Sequence, residues 1–234
     1  MANIVITGAS NGIGFDTALT LAAQGNNVLA IARNQVGLTR LQATIGEKAQ
    51  AQQIQVLPFD IVNGDYEQVL IPFINEKFDQ IDALINNAGT LVNKPFMETS
   101  AADFLAMIQS NLIGHVQIIQ HLVPHLAPNS HIVNIGSMGG FQGSVKFPGL
   151  AAYSASKAAL HALTECVAFE FADRNINVNC LALGSAQTEM LEKAFPGYQS
   201  PVSASEMASY IANFALTGHR FFRGKILPVA VTTP

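Results

Sequence analysis

Tyr153 and Lys157 stand four residues apart in the stretch Tyr153-Ser154-Ala155-Ser156-Lys157. On a helix that interval puts both side chains on one face, about one turn apart. The pair has a chemical use. A free phenol titrates near ~10 and is a poor base at neutral pH, whereas a neighbouring ammonium favours the phenolate and lowers that value. A depression of about three units would correspond to about 4 kcal/mol. Solvated helix faces carry Tyr/Lys pairs at the same spacing, so the pair alone leaves both readings open.

A second cluster lies near the start of the chain, where Thr7-Gly8-Ala9-Ser10-Asn11-Gly12-Ile13-Gly14 follows the apolar run Ile4-Val5-Ile6. A strand, a glycine-rich turn and a helix together lay an anion against exposed N–H groups at the helix N-terminus. Gly8 permits the tight turn, Gly12 lets a diphosphate approach the backbone, and Gly14 allows close helix–sheet packing. Thr7, Ser10 and Asn11 add local hydrogen bonds. A merely tight βα turn is the plain alternative, but the flanking strand and helix favour a dinucleotide. An acidic residue closing the second strand would accept hydrogen bonds from the adenosine ribose of NAD and repel the 2′-phosphate of NADP. Here the sequence is Leu29-Ala30-Ile31-Ala32-Arg33-Asn34, without a carboxylate. Arg33 offers a planar fork suited to phosphate, with Ser10 and Asn11 as neighbours, or it only caps a strand.

These residues need a scaffold. Short apolar runs at Ile4–Thr7, Val28–Ala32, Ile54–Phe59, Ile81–Ile85, His131–Ile135, Asn177–Leu183 and Lys225–Val229 predict about seven strands. Each run is nearly continuous in Val, Ile, Leu and Ala, as in a parallel sheet covered on both faces. The segments 12–25, 35–48, 64–78, 100–126, 152–174 and 203–217 are long enough for helices and break at Gly, Pro or Asn. The expectation is one doubly wound α/β domain over residues 1–234. The helix from Tyr153 to Arg174 carries Ala155, Ala158, Ala159, Leu160, Ala162, Leu163, Val167 and Phe169 around most of its circumference. It must be covered twice, and Phe104–Leu126 is similar, so a homo-oligomer, dimer or tetramer, built on these two helices is expected.

With the motifs in this order the chain resembles the single-domain short-chain dehydrogenase/reductase family, in its TGxxxGxG and YxxxK branch. The resemblance spans nearly the whole chain and rests on Thr7–Gly14, Asp60 after the third strand, Asn86-Asn87-Ala88-Gly89 after the fourth, Asn111, Ser137, and Tyr153 with Lys157. It implies a Rossmann fold and an oxidoreductase moving hydride between NADP(H), preferred to NAD(H), and a small apolar ketone, aldehyde or alcohol. Tyr153 would be the general acid/base, with Lys157 lowering its pKa and bonding the nicotinamide ribose. Ser137 would hold the substrate oxygen, and Asn111 would anchor a water that links Lys157 to solvent. Gly8, Ser10, Asn11, Gly12, Ile13, Gly14, Arg33, Asp60, Ile61, Asn87, Ala88, Gly89, Gly184, Ala186 and Thr188 would hold the dinucleotide. Asp60 would meet the adenine amino group, unless it only caps a turn after Phe59. A non-catalytic dinucleotide sensor or interaction protein is the other reading.

The chain departs from the family pattern in several places. Leu183 replaces a usual proline, which puts the rigidity of the following loop in question. The stretch between Ser137 and Tyr153 is longer than usual, and Phe141, Val145 and Phe147 either wall a pocket or anchor a loop. A short substrate segment at about 189–202 brings Met190, Leu191 and Phe195. The end of the chain, Gly224–Val229, lacks the aspartate and paired glycines common in relatives.

Composition excludes other classes. The 234 residues are 49% hydrophobic and 12% charged, which argues for a substantial core and against disorder. A net charge of -4 leaves no basic surplus for nucleic acid or an anionic membrane. No apolar run approaches the ~20 residues of a membrane span, and no signal segment opens the sequence, so a cytoplasmic location is expected. Cys166 and Cys180 are expected to be buried thiols. His121 and His125 have ligand-like spacing, yet Pro124 lies between them without a partner carboxylate motif, so no metal is expected.

Overall fold

The computed structural model describes residues 1–46 and 53–231. Among these, seven strands form one sheet: β1 (Asn3–Thr7), β2 (Asn27–Ala32), β3 (Ile54–Pro58), β4 (Ile81–Asn86), β5 (Leu126–Ser137), β6 (Asn177–Leu183) and β7 (Ile226–Val229). Their order is β3-β2-β1-β4-β5-β6-β7, and every neighbouring pair is parallel. The chain works outward from β1 to β3, then crosses back to β4. That reversal opens a crevice at the carboxyl ends of β1 and β4, where doubly wound sheets place their ligands.

The helices are α1 (Gly12–Ala23), α2 (Gln35–Gly46), α3 (Ile71–Lys77), α4 (Ala101–Ile108), α5 (Gly114–Leu122), α6 (Ala151–Glu170), α7 (Glu189–Ala194) and α8 (Ala204–Thr217). Ile4 and Ile6 of β1 pack on one side of the sheet with Leu21 of α1 and Ile211 of α8. Val5, between them, packs on the other side with Ile74 of α3 and Ile118 and Leu122 of α5. Successive strand residues point to opposite faces, and here both faces are covered, so the run Ile4-Val5-Ile6 shows no polar alternation. Each such fully buried Ile or Leu stabilises the fold by about 1.5–3 kcal/mol.

The structure differs from the sequence expectation in places that matter for the site. Helix 100–126 is not continuous: a five-residue π-turn, Gln109–Ile113, separates α4 from α5, and Pro124 sits in a 3₁₀ turn, Val123–His125, that leads straight into β5. Strand β5 therefore starts at Leu126 rather than His131. The helix expected over 64–78 begins as a π-turn, Tyr66–Leu70, before α3. Residues 47–48 of the expected helix 35–48 lie outside the described residues. On α6, Ala155, Ala158, Ala162 and Phe169 form an exposed stripe, while Leu160 and Ala168 face the interior. Cys180 is buried as expected, but Cys166 is exposed, because its place on α6 faces away from the sheet. Among the described residues no helix is long and apolar enough to cross a membrane.

Candidate active site

The turn after β1 is shaped by backbone. Gly8 and Gly12 adopt φ of +70° and +54°, a region that disfavours L side chains. A Cβ on Gly8 would stand 2.7 Å from Ala88 Cα, and one on Gly14 would collide with the Gly8 carbonyl and the Asn87 amide. Thr7 and Asn87 lace this turn to the loop after β4. The Thr7 hydroxyl accepts from the N–H groups of Asn87 and Ala88, each at 3.0 Å. In return, Asn87 Nδ2 donates to the Thr7 and Gly8 carbonyls at 3.0 and 3.2 Å. Arg40 braces the turn from α2, donating to the Ser10 carbonyl at 3.3 Å and lying over the Phe15 ring.

The predicted site residues, Asn111 excepted, line one cleft of about 1010 Å³. Gly8, Ser10, Asn11, Gly12, Ile13, Gly14, Arg33, Asp60, Ile61, Asn87, Ala88 and Gly89 form one end; Ser137, Tyr153, Lys157, Gly184, Ala186 and Thr188 lie further along it. Asp60 also builds its own turn, accepting from the Val62 N–H at 2.9 Å and from Asn63 Nδ2 at 3.2 Å. Partial burial pushes its pKa up, but these bonds and the nearby Arg33 charge outweigh that and hold the carboxyl below the usual range. Thr90, Leu91, Met138, Leu150 and Tyr198 line the cleft as well, although no motif marked them.

Asn111 is fully buried and sits behind Gly89 rather than on the cleft surface. Its side-chain amide clamps Thr90, accepting from the Thr90 N–H at 2.9 Å and donating to the Thr90 carbonyl at 3.0 Å, and it also donates to Ser156 Oγ at 3.0 Å. Asn111 lies within the π-turn Gln109–Ile113. One turn on, His115 Nε2 lies 2.7 Å from the Ala88 carbonyl. Burial, reinforced by the Lys157 charge, pushes its pKa down to about 3, so it is neutral and donates from Nε2.

Lys157, 4% exposed, donates to the Ile135 carbonyl at 2.8 Å, and its Nζ lies 6.0 Å from the centre of the Tyr153 ring. Burial pushes its pKa down to about 8. Burial likewise pushes the Tyr153 phenol above its ordinary value, opposed by the Ser137 hydroxyl. Desolvation of the anionic form is the larger of these two effects. Ser137 Oγ accepts from the Gly139 N–H at 3.1 Å. At the other end of the motif region, Asn86 bonds to Asn134, which bonds to Thr164, so Asn86 ties β4 to β5 and α6 instead of facing the cleft.

The far wall is made of side chains. Phe147, Met190, Leu191 and Phe195 line the cleft, whereas Phe141 turns away to meet His161 and Val145 does not line it. Thr188 caps α7, its hydroxyl accepting from the Leu191 N–H at 3.2 Å. The loop after Leu183 is stapled in place of the missing proline. Gln187 N–H donates to the Val202 carbonyl at 2.8 Å, Ser200 Oγ donates to the Ser185 carbonyl at 2.9 Å, and Ser200 N–H donates to Gln187 Oε1 at 2.9 Å. His121 stacks on Tyr66 at 4.1 Å and bonds to the Gln117 carbonyl. Among the described residues no group of three His, Cys, Asp or Glu side chains could hold a metal ion.

Known proteins resemble this chain in sequence and fold. A fatty acyl-CoA reductase of Acinetobacter baylyi is 32% identical over 216 residues, covering 91% of this chain and 72% of its own. An NADPH-dependent pterin aldehyde reductase of Arabidopsis thaliana is 33% identical over 218 residues, covering 90% of this chain and 87% of its own. A short chain dehydrogenase from Shigella flexneri, solved with NADP, superposes with a TM-score of 0.87 at 27% identity, covering 97% of this chain and 96% of that one. The profile of the short chain dehydrogenase family matches residues 2–199, and the chain belongs to that family.

Proposed function

We propose that this oxidoreductase uses NADP(H) in preference to NAD(H) to interconvert a small apolar ketone or aldehyde with its alcohol. One observation carries the reading: Ser137, Tyr153 and Lys157 open onto the same cleft as the glycine turn and Arg33. The cradle fits a dinucleotide. Gly8 and Gly14 leave no space for a Cβ, and above Gly12 an added Cβ would meet only Thr188, at 3.4 Å or more. The end of β2 offers Arg33 and no carboxylate, which suits a 2′-phosphate. The Shigella neighbour solved with NADP and the NADPH-dependent Arabidopsis relative support the same preference.

Bound there, the nicotinamide would give or take the hydride and, when oxidised, add a positive charge near Tyr153. The chain's own groups handle the proton. In reduction the Tyr153 hydroxyl donates to the carbonyl oxygen; in oxidation the phenolate takes the alcohol proton. Ser137 Oγ orients that oxygen, and Lys157 supplies a buried ammonium that favours the phenolate. Asn111 acts from behind, holding Thr90 and Ser156 so that Gly89 and Lys157 keep their places. In this reading Asn111 also anchors the water that links Lys157 to solvent. Met190, Leu191 and Phe195 make the substrate end apolar. The assignment extends to one dinucleotide-binding domain with a substrate segment near 189–202, acting in the cytoplasm. The exposed far end of α6, with Ala162 and Phe169, supports a homo-oligomer, dimer or tetramer.

The test is NADPH and NADH oxidation with a panel of apolar ketones and aldehydes. Turnover with NADPH, at several-fold or higher kcat/KM than with NADH, is expected. No turnover with either coenzyme across the panel would overturn the proposal.

A further inference from the structure

Phe147 is a wall shared by two cavities. On one side lies the cleft; on the other lies an apolar groove of about 480 Å³, lined by Phe96, Pro148, Ala151, Ala155 and Ala158 among others. Gly139 and Leu150 belong to both linings, so the partition is Phe147 with these two residues. The groove is close to the proposed chemistry. A Cβ on Gly139 would stand 3.7 Å from Tyr153 Cε1 and 3.1 Å from Ser154 Oγ, and Ser154 lines the groove. Phe147 is 44% exposed, and its ring meets the Phe195 ring edge-on with centroids 6.5 Å apart. The backbone beneath it is anchored, because the Gly149 carbonyl accepts from the Lys94 N–H at 2.9 Å. Lys146, the one charged residue in the groove lining, is engaged by the Phe141 carbonyl and Ser144 Oγ.

We propose that Phe147 sets the length of substrate the cleft accepts, and that the groove behind it is a compartment for an unbranched hydrocarbon chain, closed off by this ring. The inference rests on the carbonyl reading above and narrows its substrate class to short chains for the natural protein. The occupant is the substrate's own tail, because the groove adjoins the proposed carbonyl-binding side chains through Phe147 and its lining, apart from Ser154 and the exposed Lys146, is apolar. Uncovering it adds apolar surface for each added methylene, which is worth about fourfold in affinity per methylene.

The experiment compares the full-length protein with Phe147→Ala, the milder Phe147→Leu, and Phe195→Ala on a homologous series of straight-chain methyl ketones with NADPH. In the natural protein kcat/KM stops rising once the chain fills the cleft. In Phe147→Ala it continues to rise with chain length, by up to about fourfold per methylene, and Phe147→Leu moves the same way by less. Phe195 lines the cleft but not the groove, so Phe195→Ala widens the cleft without opening the groove and moves the cut-off by less than Phe147→Ala does. An unchanged cut-off in Phe147→Ala, including one caused by a second copy of the chain covering the groove, overturns the proposal. So does an equal shift in Phe195→Ala, which would make α7 the limiting wall. Calorimetry with straight-chain alcohols reads the wall without turnover: Phe147→Ala must gain affinity with length. If that gain is present but no protein turns over any ketone, the carbonyl reading fails and the wall stands.

Discussion

The two ends of the cleft are built from different materials. At the glycine-turn end the surfaces are backbone: Gly8 and Gly14 admit no Cβ, and Thr7 and Asn87 cross-link the turns after β1 and β4 through main-chain groups. At the proposed substrate end the surfaces are side chains, Phe147, Met190, Leu191 and Phe195, held by loops that Ser200, Gln187 and Thr188 staple together. A surface made of backbone demands particular residue types, glycine above all, at particular spacings. A surface made of side chains demands only bulk and apolarity, which many sequences satisfy. The first end therefore constrains its residue types tightly, the second loosely.

The comparison breaks most sharply at Gly14. Replacing it with alanine drives a methyl into the Gly8 carbonyl and the Asn87 amide. The overpacking is expected to cost about 1–3 kcal/mol of stability in denaturant titration and to abolish most NADPH binding in a fluorescence titration. A stable variant with natural affinity would show that the turn is not the cradle. Next comes Arg33→Ala, which removes a charge-assisted bond and is expected to lower kcat/KM with NADPH by about ten- to a hundredfold while sparing NADH.

Acid–base behaviour should separate the proposed chemistry from the fold. Lys157, with its pKa pushed to about 8 by burial, must carry its proton to assist Tyr153, so kcat/KM for reduction should fall as pH rises through about 8. Stability should move the other way. An unfolded lysine keeps its proton up to its ordinary value of 10.5 while the folded one has released it, so stability contributed by this group rises between about 8 and 10.5. Thermal unfolding and rate profiles over one pH series would check both signs. The smallest effect is expected at the substrate end. Ser200→Ala removes the hydroxyl that bonds the Ser185 carbonyl and Oγ and accepts from the Val202 N–H, and should cost about 0.5–1.5 kcal/mol, raising the ketone KM severalfold without changing NADPH affinity.

The same division explains what could be read from the sequence. The strands were legible because Ile4, Val5 and Ile6 are buried on alternating faces that are both covered, and the glycine turn because its shape depends on missing side chains. The early start of β5 was hidden by Pro128 and Asn129, which are exposed although they lie in the strand. The π-turn at Gln109–Ile113 carries no marker residue, so the place of Asn111 behind Gly89 had no local signal. Arg40 reaches Ser10 across 30 residues of sequence, and nothing in its neighbourhood announces that contact. Phe141 and Phe147 are the same residue type in one loop, yet only Phe147 reaches the cleft, a choice made by the loop's path. The i, i+4 spacing of Tyr153 and Lys157 reports a neighbouring cation and is silent on the desolvation that raises the phenol's pKa.

Proton delivery by Tyr153 to the reacting oxygen is the step on which the proposed reaction depends. The most direct measurement is single-turnover oxidation of bound NADPH by Tyr153→Phe, with coenzyme affinity read in the same titration. The rate should fall by about a hundred- to ten-thousandfold while the coenzyme still binds. An undiminished rate with the coenzyme bound would show that the phenol does not handle the proton.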